Sequence, residues 1–288
     1  MNRHALLQRA LPLMLALLLA ACSQRPTCPS ASESPSAGQS PQGEIWVATG
    51  FNVAGLEQLD PLLTRGYFGT PNSYVIQTSA QWPWASSSLR TASWASAAKF
   101  AEDVRQADGT LAGVDAVLYD PEAWASTPLE EQRDPASAME RFAELGHHLG
   151  YDVIITPGLQ LTDVDGALCQ KTDQESDVQA FTRCDIAGDA AHVADIVEIQ
   201  AQSLQARPED YRAFVRSAAN QARQANPDVQ VIAGFALRSP EEVQDAERSW
   251  ASVRGVADGH YLSMTPAEGI AFLAWVESCA SPEEQRMR

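Results

Sequence analysis

A pair of carboxylic acids that could transfer protons directly follows a short apolar run. The run Ala116–Tyr119 has the length and composition of a strand, and Asp120 and Glu122 come immediately after it. Pro121 cannot extend a central strand, so both acids are predicted where the chain turns out of a sheet. Two such carboxyls can share the work of hydrolysis, one as general acid and the other as base or nucleophile. The alternative interpretation is that they cap the turn or helix that follows.

A third acid lies within a predicted strand. Alternation along Ile196–Gln200 and beyond puts Glu198, Gln200 and Gln202 on one face and apolar residues on the other. The apolar face should pack against helices, so the polar face should line the interior of the fold. A buried carboxylate is costly unless it is partnered or faces a wet pocket. Glu198 is therefore the third acid/base candidate, and the alternative is a structural ion pair with a basic residue elsewhere.

Amides and tryptophans follow other apolar runs at comparable positions. Amides and carboxylates hydrogen-bond to hydroxyl groups, and tryptophan rings stack on the apolar faces of sugars. For Trp82 and Trp84, the alternative interpretation is that they form a lid over the core. The candidate substrate-binding residues are Gln77, Trp82, Trp84, Trp124, Gln160 and Gln200.

Short apolar runs alternate with helical patterns from Glu44 onward, which predicts parallel strands covered by helices. The seven predicted strands are Ile45–Thr49, Tyr74–Thr78, Ala116–Tyr119, Val153–Thr156, Ile196–Gln200, Val229–Ala233 and His260–Ser263. We expect an α/β fold of the (β/α)8 TIM-barrel type, with the eighth strand between Gly158 and Asp189 or with an incomplete ring. An open doubly wound parallel sheet is the competing architecture, but no GxGxxG loop follows any strand.

The acids would then lie where TIM barrels carry their function, at the carboxyl ends of the strands. This layout resembles that of barrel glycoside hydrolases, in which an acidic cluster follows a mid-barrel strand, although no complete family motif accompanies it. The resemblance implies a carbohydrate-active enzyme. The alternatives are a non-catalytic envelope lipoprotein that binds a glycan or another polar ligand at the same mouth, or a scaffold without a site. No motif for a cofactor or a metal is present, and we predict neither.

The amino terminus has the pattern of an export signal. A basic start precedes the apolar run Ala10–Ala20, which is shorter than the about 20 residues that cross a bilayer. The run ends in Leu19-Ala20-Ala21-Cys22, which resembles the lipobox of bacterial lipoproteins. That resemblance implies cleavage before Cys22 and lipid on its sulfur, and hence an extracytoplasmic protein anchored to a bacterial cell membrane or outer membrane. The alternative is an ordinary secretory signal with a free thiol at Cys22.

Composition completes the division of the chain. We predict a signal peptide at 1–21, a flexible Ser/Pro-rich linker at 22–43, a single barrel domain at 44–280 and a tail at 281–288. The formal net charge of −17 repels phosphate backbones, so nucleic acid is not expected as a partner. The expected partners are the membrane, through the lipid, and a polysaccharide or other polar ligand.

Four cysteines remain after Cys22, an even number that suits an oxidising compartment. Cys169 and Cys184 flank a polar stretch, and we predict a disulfide between them. That pairing leaves Cys28 with Cys279, which would join the linker to the end of the fold. The alternative is that these cysteines are free buried thiols.

Overall fold

A computed structural model of the chain describes residues 28, 43–77, 87–107, 109 and 111–279. The predicted signal peptide and tail lie outside the described residues, as does the linker apart from Cys28 and Gly43. Cys22, Trp82 and Trp84 are therefore not placed.

Eight parallel strands close into one barrel. They are β1 (Ile45–Thr49), β2 (Ser73–Ile76), β3 (Leu89–Trp94), β4 (Ala116–Tyr119), β5 (Asp152–Ile155), β6 (Ile196–Ile199), β7 (Gln230–Leu237) and β8 (Gly259–Met264). Each strand pairs with the next along the chain, and β8 pairs with β1. The predicted (β/α)8 barrel is confirmed, and the open sheet is wrong.

Helices cover the outside of the ring, and several begin with a proline after a side-chain cap. They are α1 (Gly50–Leu59), α2 (Pro61–Phe68), α3 (Ala97–Gln106), α4 (Leu129–Arg133), α5 (Pro135–His148), α6 (Asp177–Arg183), α7 (Ile186–Val193), α8 (Pro208–Ala225), α9 (Pro240–Val253) and α10 (Pro266–Cys279). Short 3-10 helices at Leu159–Asp163 and Gln202–Leu204 follow β5 and β6. These two turns lie at the carboxyl end of the barrel.

The strand missing from the sequence prediction is β3, and its predicted place was wrong. The segment from Gly158 to Asp189 contains a 3-10 helix, α6 and the start of α7 instead of a strand. The sequence of β3 contains no apolar run. In the fold, only one of its six residues is buried. Its pairing with β2 and β4 defines it as a strand, and pairing of this kind leaves no local sequence pattern. The seven predicted strands are present, with their ends shifted by up to four residues. The largest shift is at the end of β7.

Strand alternation separates two apolar layers. On β4, Ala116 and Leu118 face the barrel interior, whereas Val117 and Tyr119 pack against the helices. Asp120 continues the inward-facing series by one step. The buried apolar residues of the barrel interior are Ile45, Val47, Tyr74, Ile76, Ala116, Leu118, Ile154, Ile196 and Ile232.

Both predicted disulfides are present. The Cα atoms of Cys169 and Cys184 are 5.8 Å apart, and those of Cys28 and Cys279 are 5.3 Å apart. Two disulfides are compatible with an extracytoplasmic protein. Across the described residues, no helix combines the length and apolar composition that a membrane crossing requires.

Candidate functional site

Three acids from two strands meet at the carboxyl end of the barrel. Asp120 and Glu122 leave β4, and Glu198 lies in β6. The charges of Asp120 and Glu122 both raise the pKa of Glu198, so the three carboxyls share one site. None of the three forms an ion pair with a basic side chain in the described part of the chain.

Asp120 is held by the next two strands. Thr156, just beyond β5, donates its hydroxyl to Oδ1 of Asp120 at 2.7 Å. Gln200, just beyond β6, donates Nε2 to the same oxygen at 3.1 Å and to the Thr156 carbonyl at 2.8 Å. Burial raises the pKa of Asp120, and these two hydrogen bonds oppose that shift. The carboxylate is therefore fixed in place while its ionised form is supported.

Glu122 lies against the chain that leaves β5. A Cβ at Gly158 would lie 2.9 Å from Cγ of Glu122, so the close approach depends on glycine. The Gly158 N–H donates to the Pro121 carbonyl at 2.9 Å, and the Glu122 N–H donates to Oγ1 of Thr127 at 3.3 Å. Glu122 is 8% exposed. Burial, and then the charge of Asp120, raises the pKa of Glu122 to about 7.

Glu198 is the deepest of the three acids, with 2% exposure. Its Oε1 accepts a hydrogen bond from Nε2 of Gln202 at 3.2 Å. The carboxyl lies over β7 at Gly234, where a Cβ would come within 2.4 Å of that oxygen. Burial raises the pKa of Glu198 well above its usual range, and the charge of Asp120 adds to the effect.

Helix α4 holds the segment that carries Glu122. Glu131 is buried and accepts hydrogen bonds from the Tyr119 hydroxyl at 2.8 Å and from the first two N–H groups of α3. Gln132 donates Nε2 to the carbonyls of Trp124 and Thr127, at 2.7 Å and 2.6 Å. Sequence analysis missed both residues, because the partner of each is a main-chain or hydroxyl group brought near only by the fold.

The predicted binding residues are only partly gathered at the acids. Gln200 contacts Asp120 directly, and Trp124, two residues after Glu122, exposes 60% of its surface. Gln77 and Gln160 follow β2 and β5 at the same end of the barrel. Neither hydrogen-bonds to any of the three acids. Trp82 and Trp84 lie outside the described residues.

One mouth residue, Tyr261, was not predicted. It lies in β8 directly beside Gly234 of β7 and is half-buried. Burial raises the pKa of its phenol, and the charges of Glu198, Asp120 and Glu122 add to that shift, in that order. Alternation within the predicted strand His260–Ser263 could have identified Tyr261 as inward-facing.

The segment that leads into the disulfide-bonded loop packs against α4. Arg133 donates Nε to the Asp165 carbonyl at 2.8 Å, so the chain just before Cys169 contacts the helix that supports Glu122. Arg183 donates to Sγ of Cys169 at 3.0 Å and pairs with Glu175 at 2.5 Å.

Among the described residues, no group of three or more His, Cys, Asp and Glu side chains could hold a metal ion.

Comparison with known proteins identifies no family. No protein-family profile and no curated protein matches the chain. A structure of the carboxyl transferase domain of Rhizobium etli pyruvate carboxylase has a TM-score of 0.45 at 10% identity over 83% of this chain, and the chain covers 48% of that structure. An archaeal fructose-1,6-bisphosphate aldolase has a TM-score of 0.38 at 12% identity over 82% of this chain and 96% of its own.

A 2,3-dimethylmalate lyase of the PEP mutase/isocitrate lyase superfamily has a TM-score of 0.42 at 11% identity, over 85% of this chain and 84% of its own. The chain spans less than half the length of the carboxyl transferase domain structures that it matches. The assignment of the fold therefore depends on the closed ring of strands, and that of function on the site itself.

Proposed function

We propose that this protein is a TIM-barrel hydrolase that cleaves glycosidic bonds with a pair of carboxyls at its mouth. The observation that carries the proposal is the convergence of Asp120, Glu122 and Glu198 at the carboxyl end of the barrel, where no described residue gives them a cationic partner. Unpaired acids with raised pKa values are costly to a fold, and such groups concentrate at catalytic sites. Exposed Trp124 at the rim offers a ring face to a sugar.

The environments of the acids suggest a division of roles. Glu122, with its pKa raised to about 7, can stay protonated near neutral pH and protonate a leaving oxygen. Asp120 accepts hydrogen bonds from Thr156 and Gln200, which favour the ionised form that a base or nucleophile requires. Glu198 is too deeply buried to reach far into the mouth, and we assign it no direct part in the cleavage.

The test is a screen of neutral polysaccharides and aryl glycosides for cleavage. Replacing Glu122 by Gln should lower the rate on any cleaved substrate by about 10²–10⁴-fold, as is typical for loss of a general acid. The same exchange at exposed Glu130, in α4, is the matched control and should leave the rate unchanged. Wild-type activity should fall as pH rises through about 7, because Glu122 then loses its proton.

Two results would contradict parts of the proposal. One is cleavage by the Glu122→Gln variant at the wild-type rate, which would refute Glu122 as the general acid but not the cleavage itself. The other is binding of a glycan with no cleavage under any condition, which would identify a binding protein that uses the same mouth.

We also propose that the protein is an extracytoplasmic lipoprotein anchored through Cys22. The lipobox-like residues 19–22 and the two disulfides support this proposal. In a bacterial host, Cys22→Ser should abolish the acyl mass and membrane retention, while Ser23→Ala should preserve both. Recovery of acylated, membrane-bound Cys22→Ser protein would refute the anchor.

A further inference from the structure

Glu198 and Tyr261 approach each other across a gap left by glycine. Tyr261 of β8 is paired in register with Gly234 of β7. Gly234 has no side chain, and Oε1 of Glu198 and Nε2 of Gln202 occupy the place of its Cβ, at 2.4 Å and 2.5 Å from that position. The Glu198 carboxyl therefore extends from β6 over β7 toward the strand that carries Tyr261.

The hydroxyl of Tyr261 has no hydrogen-bond partner among the described residues. The hydroxyl oxygen is not fully buried, so it keeps some accessible surface. Burial, and then the charges of the three carboxyls, raises the pKa of this phenol, so it stays protonated at physiological pH. The mouth thus presents an unused O–H donor opposite a set of acceptors.

The Tyr261 hydroxyl and the three carboxyls together restrict which ligand groups can bind between them. A ligand group there has to accept a hydrogen bond from the phenol and donate one to a carboxylate, and a hydroxyl does both. A phosphate or carboxylate group would meet the ionised Asp120 as a like charge. An ammonium group could donate to the carboxylates but has no lone pair for the phenol.

We propose that Tyr261 is a substrate-binding residue that selects a neutral, hydroxyl-bearing ligand at this mouth. The inference builds on the proposed function, since it names the substrate class and a residue that recognises it. The inference does not require catalysis, because Tyr261 can bind a sugar whether or not the sugar is cleaved.

Saturation-transfer NMR and calorimetry with defined probes test the inference. The neutral probes are maltotriose, cellotriose and N-acetylchitotriose, and the anionic probes are glucose 6-phosphate and glucuronate. Wild-type protein should bind at least one neutral probe and neither anion. Tyr261→Phe keeps the ring and its packing, removes the O–H, and should weaken that binding at least tenfold.

Tyr74→Phe is the matched control. Tyr74 also faces the barrel interior, but at the opposite end, where its hydroxyl donates to Asp152 at 3.2 Å. Binding by this variant should equal that of wild type, and circular dichroism should show that both variants are folded.

The outcomes separate the two proposals. If Tyr261→Phe binds the neutral probe as well as wild type does, the role of Tyr261 is refuted and the hydrolase proposal is unaffected. If binding is lost but the wild type cleaves nothing it binds, Tyr261 is supported and the hydrolase proposal fails. Binding of an anion, or of no probe at all, would refute the selection of a neutral ligand.

Discussion

Three aspartates at the amino end of the barrel are held differently from the acids at its carboxyl end. At the amino end, an aspartate precedes each of β4, β6 and β8 and accepts a backbone N–H from the preceding strand. Each of these aspartates also has a basic partner. The three sets are Asp115 with the Arg90 N–H and side chain, Asp195 with the Val153 N–H and His147, and Asp258 with the Val231 N–H and Arg223.

At the carboxyl end the acids lack such partners among the residues that the structure describes. There, Asp120, Glu122 and Glu198 receive hydrogen bonds from neutral side chains only, and burial raises their pKa values. At the amino end, Arg90 lowers the pKa of Asp115. The same residue type therefore ties neighbouring strands together at one end and creates a costly, reactive cluster at the other. This is the division between stability and function expected of a TIM barrel.

The largest effect on stability should come from the Cys169–Cys184 disulfide, which closes a loop between β5 and β6. Replacing both Cys169 and Cys184 by Ser should lower the free energy of unfolding by about 3 kcal/mol, because the unfolded chain loses a closed loop of about 15 residues. Urea unfolding without reductant measures the change. Exposed Ser203→Ala should shift the value by less than about 0.5 kcal/mol. An unchanged value for the double variant would mean that the loop keeps its order without the bond.

The next effect belongs to the amino end. Asp258 accepts the Val231 N–H at 2.8 Å and Nη2 of Arg223 at 2.9 Å. Asp258→Ala should lower the free energy of unfolding by about 2 kcal/mol, since it removes an ionised acceptor from both groups. Asp210→Ala breaks only an exposed pair with Arg207 and should cost less than about 0.5 kcal/mol. Equal losses in the two variants would refute the structural role of the amino-end aspartates.

The contrast between the ends explains what the sequence could predict. The barrel was predictable because seven of its strands are apolar runs between helical patterns, and alternation placed Glu198 and Gln200 inward. The acids after β4 were recognisable because Pro121 ends the strand beside them. These are local patterns with a period or a stop signal.

The remaining features depend on contacts between distant segments. β3 is defined by its neighbours rather than by its own composition, and Gly234 matters only because Glu198 crosses over it. The support of Glu122 by Gln132 runs through main-chain carbonyls, which carry no sequence signal. Tyr261 joins the acids only when β8 closes the ring beside β1 and β7.

Neutralising Glu198 should stabilise the protein. Burial raises the pKa of this carboxyl, so the folded state binds the proton more tightly and wild-type stability falls as pH rises above the unfolded value of about 4.3. Glu198→Gln does not titrate, so its advantage should grow above that pH and reach at least about 1 kcal/mol at pH 8. Thermal unfolding from pH 4 to pH 8 measures the gap. A variant less stable than wild type at pH 8 would identify Glu198 as a structural acceptor.

The smallest effect should come from the corresponding acid-to-amide exchange at the other end, Asp115→Asn. Hydrogen bonding from the Arg90 side chain, aided by the Arg90 N–H, lowers the pKa of Asp115. The stability contributed by a lowered carboxyl pKa is complete above the unfolded value of about 3.9 and is lost as pH falls through the folded one. Both side chains are partly exposed, at 49% and 35%, so solvent screening reduces the contribution to about 0.5 kcal/mol.

Asp115→Asn should therefore be slightly less stable than wild type at pH 7, and the gap should close toward pH 3. It should also shrink in 1 M salt, where the screening length is about 3 Å. The amide exchange at Glu198 is expected to have the opposite sign and to grow with pH, since no described residue pairs that acid with a cation. If both exchanges shifted stability in the same direction with pH, the two ends of the barrel would not differ in how they hold their acids.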